Sequence, residues 1–330
     1  MLFSTKPFYF NLKPNKRVTG GTAYFCGGMD TFPTYRSATR KYAISTDAVT
    51  AGPSIITGGS GYTTGKMLGC SFANGTTGLL SQGQTPTGTD NVAAQLTGRS
   101  IKITISTDAT AAATALAVGW RMNLGTTDGI RGIRMGGYYS TNSGAANLNV
   151  LQKYLWSSDA WTTVTPTLAN VMTDVGIHAN AEMAYRAAGH NEQSAAANIT
   201  YTNKWIWSSD TLRSISGVLD EQMGYACCTG NQEKTVIMGG LNSAGSALDR
   251  VKSIVMLTDS RTNRTSLGVN AVGVADAAGA DDYGIFSFDR ATSGSTRKYN
   301  YSADTYITST NLIASLNIQG VMAFHSAQIS

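Results

Sequence analysis

The sequence combines an ordinary apolar content with a low content of charge. Of its 330 residues, 42% are hydrophobic, 14% are charged and 36 are glycines, whereas soluble proteins usually carry about 25% charged residues. Few Lys and Glu and many Gly disfavour long surface helices and favour short strands joined by polar turns. The net charge of +5 is not gathered in a basic run, so the sequence does not indicate a nucleic-acid partner.

Neither the apolar segments nor the cysteines point to a membrane or a metal. No stretch approaches the roughly 18 apolar residues of a membrane span, and the N-terminus lacks the apolar region of a signal peptide. We therefore expect a soluble chain that is synthesised in a cytosol. The four cysteines, Cys26, Cys70, Cys227 and Cys228, match no zinc spacing and are expected to be small buried hydrophobic residues.

The chain begins with a segment in which aromatic and basic residues are interleaved. Its aromatic residues are Phe3, Phe8, Tyr9 and Phe10, and the first 17 residues also contain four Lys or Arg and no acid. We expect residues 1–19 to form an arm that docks on a neighbouring subunit, because such a contact would use both the apolar area and the charge. The alternative is an arm that packs along its own domain.

From residue 20 onwards, one short segment recurs six times and ends each time in an aspartate. The copies are Arg40–Asp47, Ser100–Asp108, Gln152–Asp159, Asn203–Asp210, Val251–Asp259 and Arg297–Asp304. Successive aspartates are 45 to 61 residues apart, which fits the roughly 40 to 50 residues of a propeller blade. Large apolar residues alternate before each aspartate, and this period of two indicates a strand.

Each repeat predicts four strands: a small inner strand, a strand ending in glycine, a Lys-aromatic strand and a short outer strand. Inner strands must be small because blades converge on an axis. They are predicted at Met67–Phe72, Leu116–Met122, Val175–Ala179, Met223–Cys228, Leu267–Ala275 and Ile318–Ser326. The first repeat lacks an inner strand, so we expect Ile318–Ser326 to pair beside Thr22–Gly28 and to close one domain over residues 20–330.

The glycine pairs carry a family resemblance. Gly27-Gly28, Gly136-Gly137 and Gly239-Gly240, each followed by an aromatic or apolar strand, resemble the kelch repeat of galactose-oxidase-like propellers. Segments such as Thr39–Pro53 resemble the kelch-like repeats of tailed-bacteriophage structural proteins, although the second and sixth repeats lack the glycine pair. The resemblance implies an all-β fold, a six-bladed kelch-like β-propeller closed by its C-terminal strand.

The same resemblance implies a role. It suggests a non-enzymatic virion protein of a tailed phage: a tail component such as a nozzle, fibre or receptor-binding appendage, synthesised in the host cytoplasm. The expected partners are other virion proteins in an oligomeric tail assembly, and a host surface glycan or receptor. No cofactor is expected. The alternative is a carbohydrate-binding or glycan-processing propeller of the sialidase or galactose-oxidase type.

The repeated Ser-x-Asp motif partly resembles the Asp box of sialidase propellers, but the Gly and Trp of that box are missing. Equivalent recurrence in five or six repeats favours turn residues that bond nearby backbone N–H groups over catalytic carboxylates. By the same logic, the repeat lysines are expected at strand starts, facing solvent. They are Lys41, Lys102, Lys153, Lys204 and Lys298.

Two histidines, His178 and His325, fall on predicted inner strands that line the central channel. A copper site of the galactose-oxidase type would also need two tyrosines, one of them crosslinked to a cysteine, and the sequence places no such pair beside them. A histidine on an apolar strand is more often a hydrogen-bonded core residue. We therefore predict no metal site and no catalytic residues.

The connections between the glycine strand and the Lys-aromatic strand differ most between repeats, and a propeller places them together on one face. They span residues 29–39, 84–98, 138–150, 190–202, 241–250 and 289–296. Aromatic rings supply rigid contact area and polar side chains supply adaptable hydrogen bonds, as in binding loops. The candidate binding residues are Phe32, Tyr35, Tyr138, Tyr139, His190 and Asn191. The alternative is a set of plain solvated loops.

Overall fold

The structure is a computed structural model of the chain. It describes residues 21–27, 29–31, 34–35, 38–55, 70–81, 100–114, 125–141, 144–168, 176–189, 200–215, 218–264, 266, 277–279, 282–287, 296–308 and 322–325. Within these ranges it describes the backbone alone at residues 29–31, 34–35, 138–141, 144–147, 277–279, 287, 296, 308 and 322–325.

The first half of the chain supplies three blades. Blade 1 uses β1 (Thr22–Cys26), β4 (Thr39–Ala43) and β5 (Ala48–Ala51), with a small hairpin of β2 (Met29–Thr31) and β3 (Thr34–Tyr35) between β1 and β4. Blade 2 uses β6 (Cys70–Ala73), β7 (Thr77–Ser81), β8 (Ser100–Thr104) and β9 (Ala109–Ala113). Blade 3 uses β10 (Gly125–Thr127), β11 (Arg131–Thr141), β12 (Gly144–Leu155) and β13 (Ala160–Thr163).

The second half supplies three more blades and the closing strand. Blade 4 uses β14 (Gly176–Ala179), β15 (Met183–Ala187), β16 (Thr202–Ile206) and β17 (Thr211–Ile215). Blade 5 uses β18 (Cys227–Gly230), β19 (Lys234–Met238), β20 (Val251–Val255) and β21 (Arg261–Asn263). Blade 6 uses β22 (Ala277–Gly279), β23 (Tyr283–Ser287), β24 (Thr296–Asn300) and β25 (Thr305–Thr308), and β26 (Met322–His325) follows.

The described residues form six four-stranded antiparallel sheets, and the chain is an all-β, six-bladed β-propeller. The predicted closure is confirmed: β26 joins blade 1 as its inner strand, with Ala23 opposite His325 and Cys26 opposite Met322. The inner strands contact one another around the ring, and β26 contacts both β6 and β22. Because the last strand completes the first blade, the ring is fastened by main-chain hydrogen bonds.

The hydrophobic core lies between the blades rather than within them. Alternation along a strand sends successive side chains to opposite faces of the sheet, so each blade offers one apolar layer to each neighbour. In the layer between blades 3 and 4, Trp205 and Trp207 pack with Ile133 and Met135. In the layer between blades 5 and 6, Val236 belongs to the same cluster as the tyrosines of blade 6. Every described blade is therefore held mainly through its neighbours.

The glycine pairs stand where the backbone of the second strand enters the left-handed region. In blade 5 the pair follows the end of β19, whereas in blade 3 Gly136-Gly137 lies within β11, at a shift in register with β12, so the predicted strand end is wrong there. Gly239 and Gly240 have φ angles of 68° and 101°, which residues other than Gly rarely adopt. A Cβ at Gly240 would also lie 2.6 Å from the carbonyl oxygen of Gly224. The glycine pair thus serves backbone geometry at the strand end.

Three inner strands lie later in the chain than predicted. The inner strands of blades 3, 5 and 6 are β10, β18 and β22. Strands β10 and β22 begin after the predicted segments 116–122 and 267–275, and β18 begins near the end of the predicted segment 223–228. The apolar signal misled because part of it belongs to the layer between blades, where Met223 and Ala226 are buried. The inner strands themselves are small and partly polar, like Gly125–Thr127.

We predict that a chain ending at residue 320 loses cooperative folding. It would lack β26, so β1 would expose its hydrogen-bonding edge to the channel and blade 1 would keep three strands. The measurement is thermal unfolding followed by circular dichroism, with the full chain as control. A truncated chain that melts at the same temperature and with the same sharpness would show that β26 is dispensable.

Candidate functional site

The antiparallel order of each blade gives the propeller two different faces. The hairpin between the first and second strands and the turn between the third and fourth strands lie at one end of each sheet, here called the turn face. The connections between the second and third strands lie at the other end, here called the loop face. The repeat aspartates lie on the turn face, and the strand ends that the six variable connections join lie on the loop face.

All six repeat aspartates lie in tight turns, as predicted. Their φ angles run from 49° at Asp210 to 58° at Asp259, in the left-handed region that Asp and Asn tolerate better than other non-Gly residues. Each lies in the short turn that joins the third strand to the outer strand. The predicted reason for their recurrence is incomplete, however, because the carboxylates bind side chains of neighbouring elements.

Each of these carboxylates accepts a hydrogen bond from a cation of the preceding blade. The pairs are Lys41 with Asp108, Lys102 with Asp159 at 2.7 Å, Lys153 with Asp210, Lys204 with Asp259 at 2.8 Å, Lys234 with Asp304 at 3.1 Å and Lys298 with Asp47 at 2.8 Å. The last pair joins blade 6 to blade 1. We call this set the cross-blade ring, and it continues around the whole propeller.

The prediction that the repeat lysines face solvent is therefore wrong. Lys204 and Lys298 are each only 8% exposed, because each lysine lies in mid-strand and reaches across to the next blade. Its ammonium group also holds the turn backbone: Lys204 donates to the Met256 carbonyl oxygen at 3.0 Å, and Lys298 donates to that of Ile44 at 2.7 Å. One lysine thus fixes both the aspartate and the turn that carries it.

Tyrosines complete the environment of the aspartates. The hydroxyls of Tyr42, Tyr154 and Tyr299 donate to the aspartate of their own blade. Burial, followed by this hydrogen bond, raises the pKa of Tyr154 above its usual range. Burial alone would raise the pKa of the Asp159 carboxyl, but hydrogen bonds from Lys102 and Tyr154 outweigh it and hold that pKa below its usual value. Asp159 is thus a stable anion with a structural role.

Blade 5 departs from this pattern. The residue six positions before its aspartate is Ser253, which lies in register with Val236 on β19, and the lysine stands one position earlier. A shift of one residue in a strand sends the side chain to the opposite face of the sheet. Lys252 accordingly binds Asp220 and Glu221, the latter at 2.7 Å, and Lys234 takes over the contact with blade 6.

The loop face is described in part. In blade 3, β11 and β12 run for 11 and 12 residues and form a long hairpin with Tyr138 opposite Asn147 and Tyr139 opposite Ala146. Tyr35 lies on β3. For these three tyrosines the structure describes the backbone position. Phe32, His190 and Asn191 lie outside the described residues, as do the arm residues Phe3, Phe8, Tyr9 and Phe10.

The two channel histidines lie on inner strands, as predicted. His178, on β14, is 4% exposed, and its Nε2 lies 3.0 Å from the carbonyl oxygen of Asn231. Burial lowers its pKa to about 4, so the ring is neutral at physiological pH. His325 lies on β26, where the backbone is described. Among the residues with described side chains, no three His, Cys, Asp or Glu lie close enough together to hold a metal ion.

Comparisons with known proteins bear on the fold. No protein-family model matches the chain, and no curated protein matches its sequence. Among solved structures, the chain is similar to YjhT, with a TM-score of 0.56 and 12% identity over 72% of this chain and 81% of that one. At this identity the similarity shows the fold alone. The described residues also contain no helix that could span a membrane.

We predict that the charge and the turn preference of Asp159 contribute separately to stability. Asp159→Asn keeps a residue that tolerates the left-handed region but loses the anion, and should cost about 0.5 to 2 kcal/mol. Asp159→Ala also loses the turn preference and should cost about 1 kcal/mol more. Urea unfolding measures both, and Ser158→Ala in the same turn is the control. If Asp159→Asn were as stable as Ser158→Ala, the carboxylate would have no role in folding.

Proposed function

We propose that this chain is a non-enzymatic structural protein in the virion of a tailed phage, a tail component that presents the loop face of a kelch-like propeller. The structural observation that supports the presenting role is the long hairpin of blade 3. Strands β11 and β12 are about twice as long as the second and third strands of the other blades, which have five residues each. The additional length lies on the loop face, where it extends the sheet of blade 3 beyond Gly136 and Gly137.

The difference between the two faces supports a presenting role. On the turn face, the repeat aspartates are engaged with lysines and tyrosines, so these carboxylates are not available for acid-base chemistry. On the loop face, the connections vary while the blades below them keep one architecture. Rigid scaffolds with variable loops are typical of binding proteins.

The virion assignment rests on the resemblance of segments such as Thr39–Pro53 to repeats of phage structural proteins. The aromatic and basic arm at residues 1–19 would dock on a neighbouring virion subunit, since four aromatic residues give it a large apolar area. The loop face would then contact another tail protein or a host surface glycan or receptor. These roles divide the chain into an anchoring segment and a presenting domain.

The test uses purified particles of a phage whose genome encodes the chain. The protein should be detected in them by mass spectrometry and placed on the tail by immunogold labelling. A variant in which residues 138–147 are replaced by an Asn-Gly turn should melt like the full chain, because the blade below the hairpin is complete, and should be lost from particles or reduce host attachment. A chain starting at residue 20 should also melt normally and fail to enter particles.

Two results would contradict the proposal. Particles that contain none of the chain would exclude the virion role. Particles that incorporate both shortened variants at normal copy number, with normal attachment to host cells, would show that neither the hairpin nor the arm makes the proposed contacts.

A further inference from the structure

Blade 5 contains a polar cleft at the place where it departs from the repeat. The cleft has a volume of about 360 Å³ and lies beside the segment that leads from blade 4 into blade 5. Its polar groups come from that segment, from the residues that begin β20 and from the end of β21. They are Asp220, Glu221, Arg250, Lys252, Asn263, Arg264 and, just after β21, Ser266. Arg250 belongs to one of the variable connections of the loop face.

The charges inside the cleft are already paired. Lys252 is almost fully buried and binds both Asp220 and Glu221. Asp220 also forms an ion pair with Arg261 at 3.1 Å, and Arg264 forms one with Asp304 at 2.7 Å. A bound anion would face the two carboxylates, and a bound cation would face Lys252 and the arginines. The cleft therefore disfavours a strongly charged ligand of either sign.

Hydrogen-bonding groups of both kinds remain at the cleft. The ion pairs of Asp220 and Glu221 run through one carboxylate oxygen of each residue, and an ionised carboxylate has two oxygens with about four lone-pair sites that can accept. Asn263 engages Lys252 only weakly, through its carbonyl oxygen at 3.5 Å, so its amide NH₂ remains a donor. The side chain of Arg250 is 56% exposed and makes only long contacts, at 3.4 and 3.8 Å. Donors and acceptors thus lie together at one small cleft.

Hydrogen bonds from Lys252 hold the pKa of the Asp220 carboxyl below its usual value, against a smaller opposite effect of burial. Asp220 therefore stays ionised and accepts hydrogen bonds across the physiological pH range. An ionised acceptor makes stronger hydrogen bonds to hydroxyl groups than a neutral one does. This suits a ligand that offers several O–H donors.

We propose that this cleft binds an uncharged saccharide of one or two rings. Neighbouring hydroxyls of a sugar donate to carboxylate oxygens and accept from amide and guanidinium groups, which is the combination that Asp220, Glu221, Asn263 and Arg250 offer. The volume lies at the lower end of the roughly 300 to 1,000 Å³ of small-molecule sites, which limits the ligand to about two rings. The proposal goes beyond the virion role and stands without it.

The shift of Lys252 gives a structural reason for the cleft. At the usual lysine position its side chain would point to blade 6, and the carboxylates of Asp220 and Glu221 would have no buried cation to hold them. The contact with blade 6 is kept by Lys234 and Arg264. The departure from the repeat therefore preserves the cross-blade ring while it organises the cleft.

The experiment measures binding of glucose, galactose, N-acetylglucosamine and lactose to the full chain by saturation-transfer and titration NMR. At least one of the four should bind with a dissociation constant in the millimolar range or below. Asn263→Ala and Arg250→Ala should each weaken that binding by about tenfold or more, because each removes a donor to the sugar. The matched control is Thr262→Ala, whose side chain leaves the opposite face of β21 and should leave binding unchanged.

Thermal unfolding of the three variants should match that of the full chain, because all three side chains lie at the surface. Absence of saturation transfer from all four sugars would overturn the proposal. So would equal binding by the full chain and by the Asn263 and Arg250 variants, or a preference for sulfate or sialic acid over the neutral sugars. Incorporation of Asn263→Ala into particles is expected to be normal, so failure of this proposal and failure of the virion role give different results.

Discussion

The propeller depends on contacts in which a cation of one blade holds the aspartate turn of the next. Each contact combines an ion pair with hydrogen bonds, as where Lys298 of blade 6 binds both Asp47 and the Ile44 carbonyl oxygen of blade 1. Exposed ion pairs contribute little to stability, but these lysines are largely buried and their donors meet several acceptors. Because the apolar layers also lie between blades, the polar ring and the hydrophobic core stabilise the same interfaces.

This arrangement separates stability from recognition. The turn face carries the repeated network, and the aspartates there are fixed by neighbouring blades. The loop face carries what differs between blades: the long hairpin of blade 3 and the cleft of blade 5. Each blade is held by the ion pairs of the turn face and by the apolar layers between blades. A change in a loop-face connection therefore need not weaken the ring.

Strand period and repeat spacing predict the six blades and the closing strand, because both depend on local pattern. The partners of the repeat lysines were not predictable, since the rotation that brings Lys204 to Asp259 is a property of two packed blades. The cleft was also missed, although the sequence contained a signal for it. Lys252 stands one position earlier in its repeat than the other lysines, and a shift of one residue along a strand sends the side chain to the opposite face of the sheet. Of the loop candidates, Tyr138 and Tyr139 are placed on a hairpin, while Phe32, His190 and Asn191 stay predictions.

The most direct test of the cross-blade ring is a double-mutant cycle between Lys204 and Asp259, with Lys204→Met and Asp259→Asn measured singly and together by urea unfolding. These variants keep the apolar stem and the turn preference while they remove the charges. The account predicts a favourable coupling free energy of about 1 kcal/mol, so that the double variant loses less stability than the two single variants added together. Additive losses, with a coupling of about 0.3 kcal/mol or less, would contradict it and leave the apolar layers as the main connection between blades.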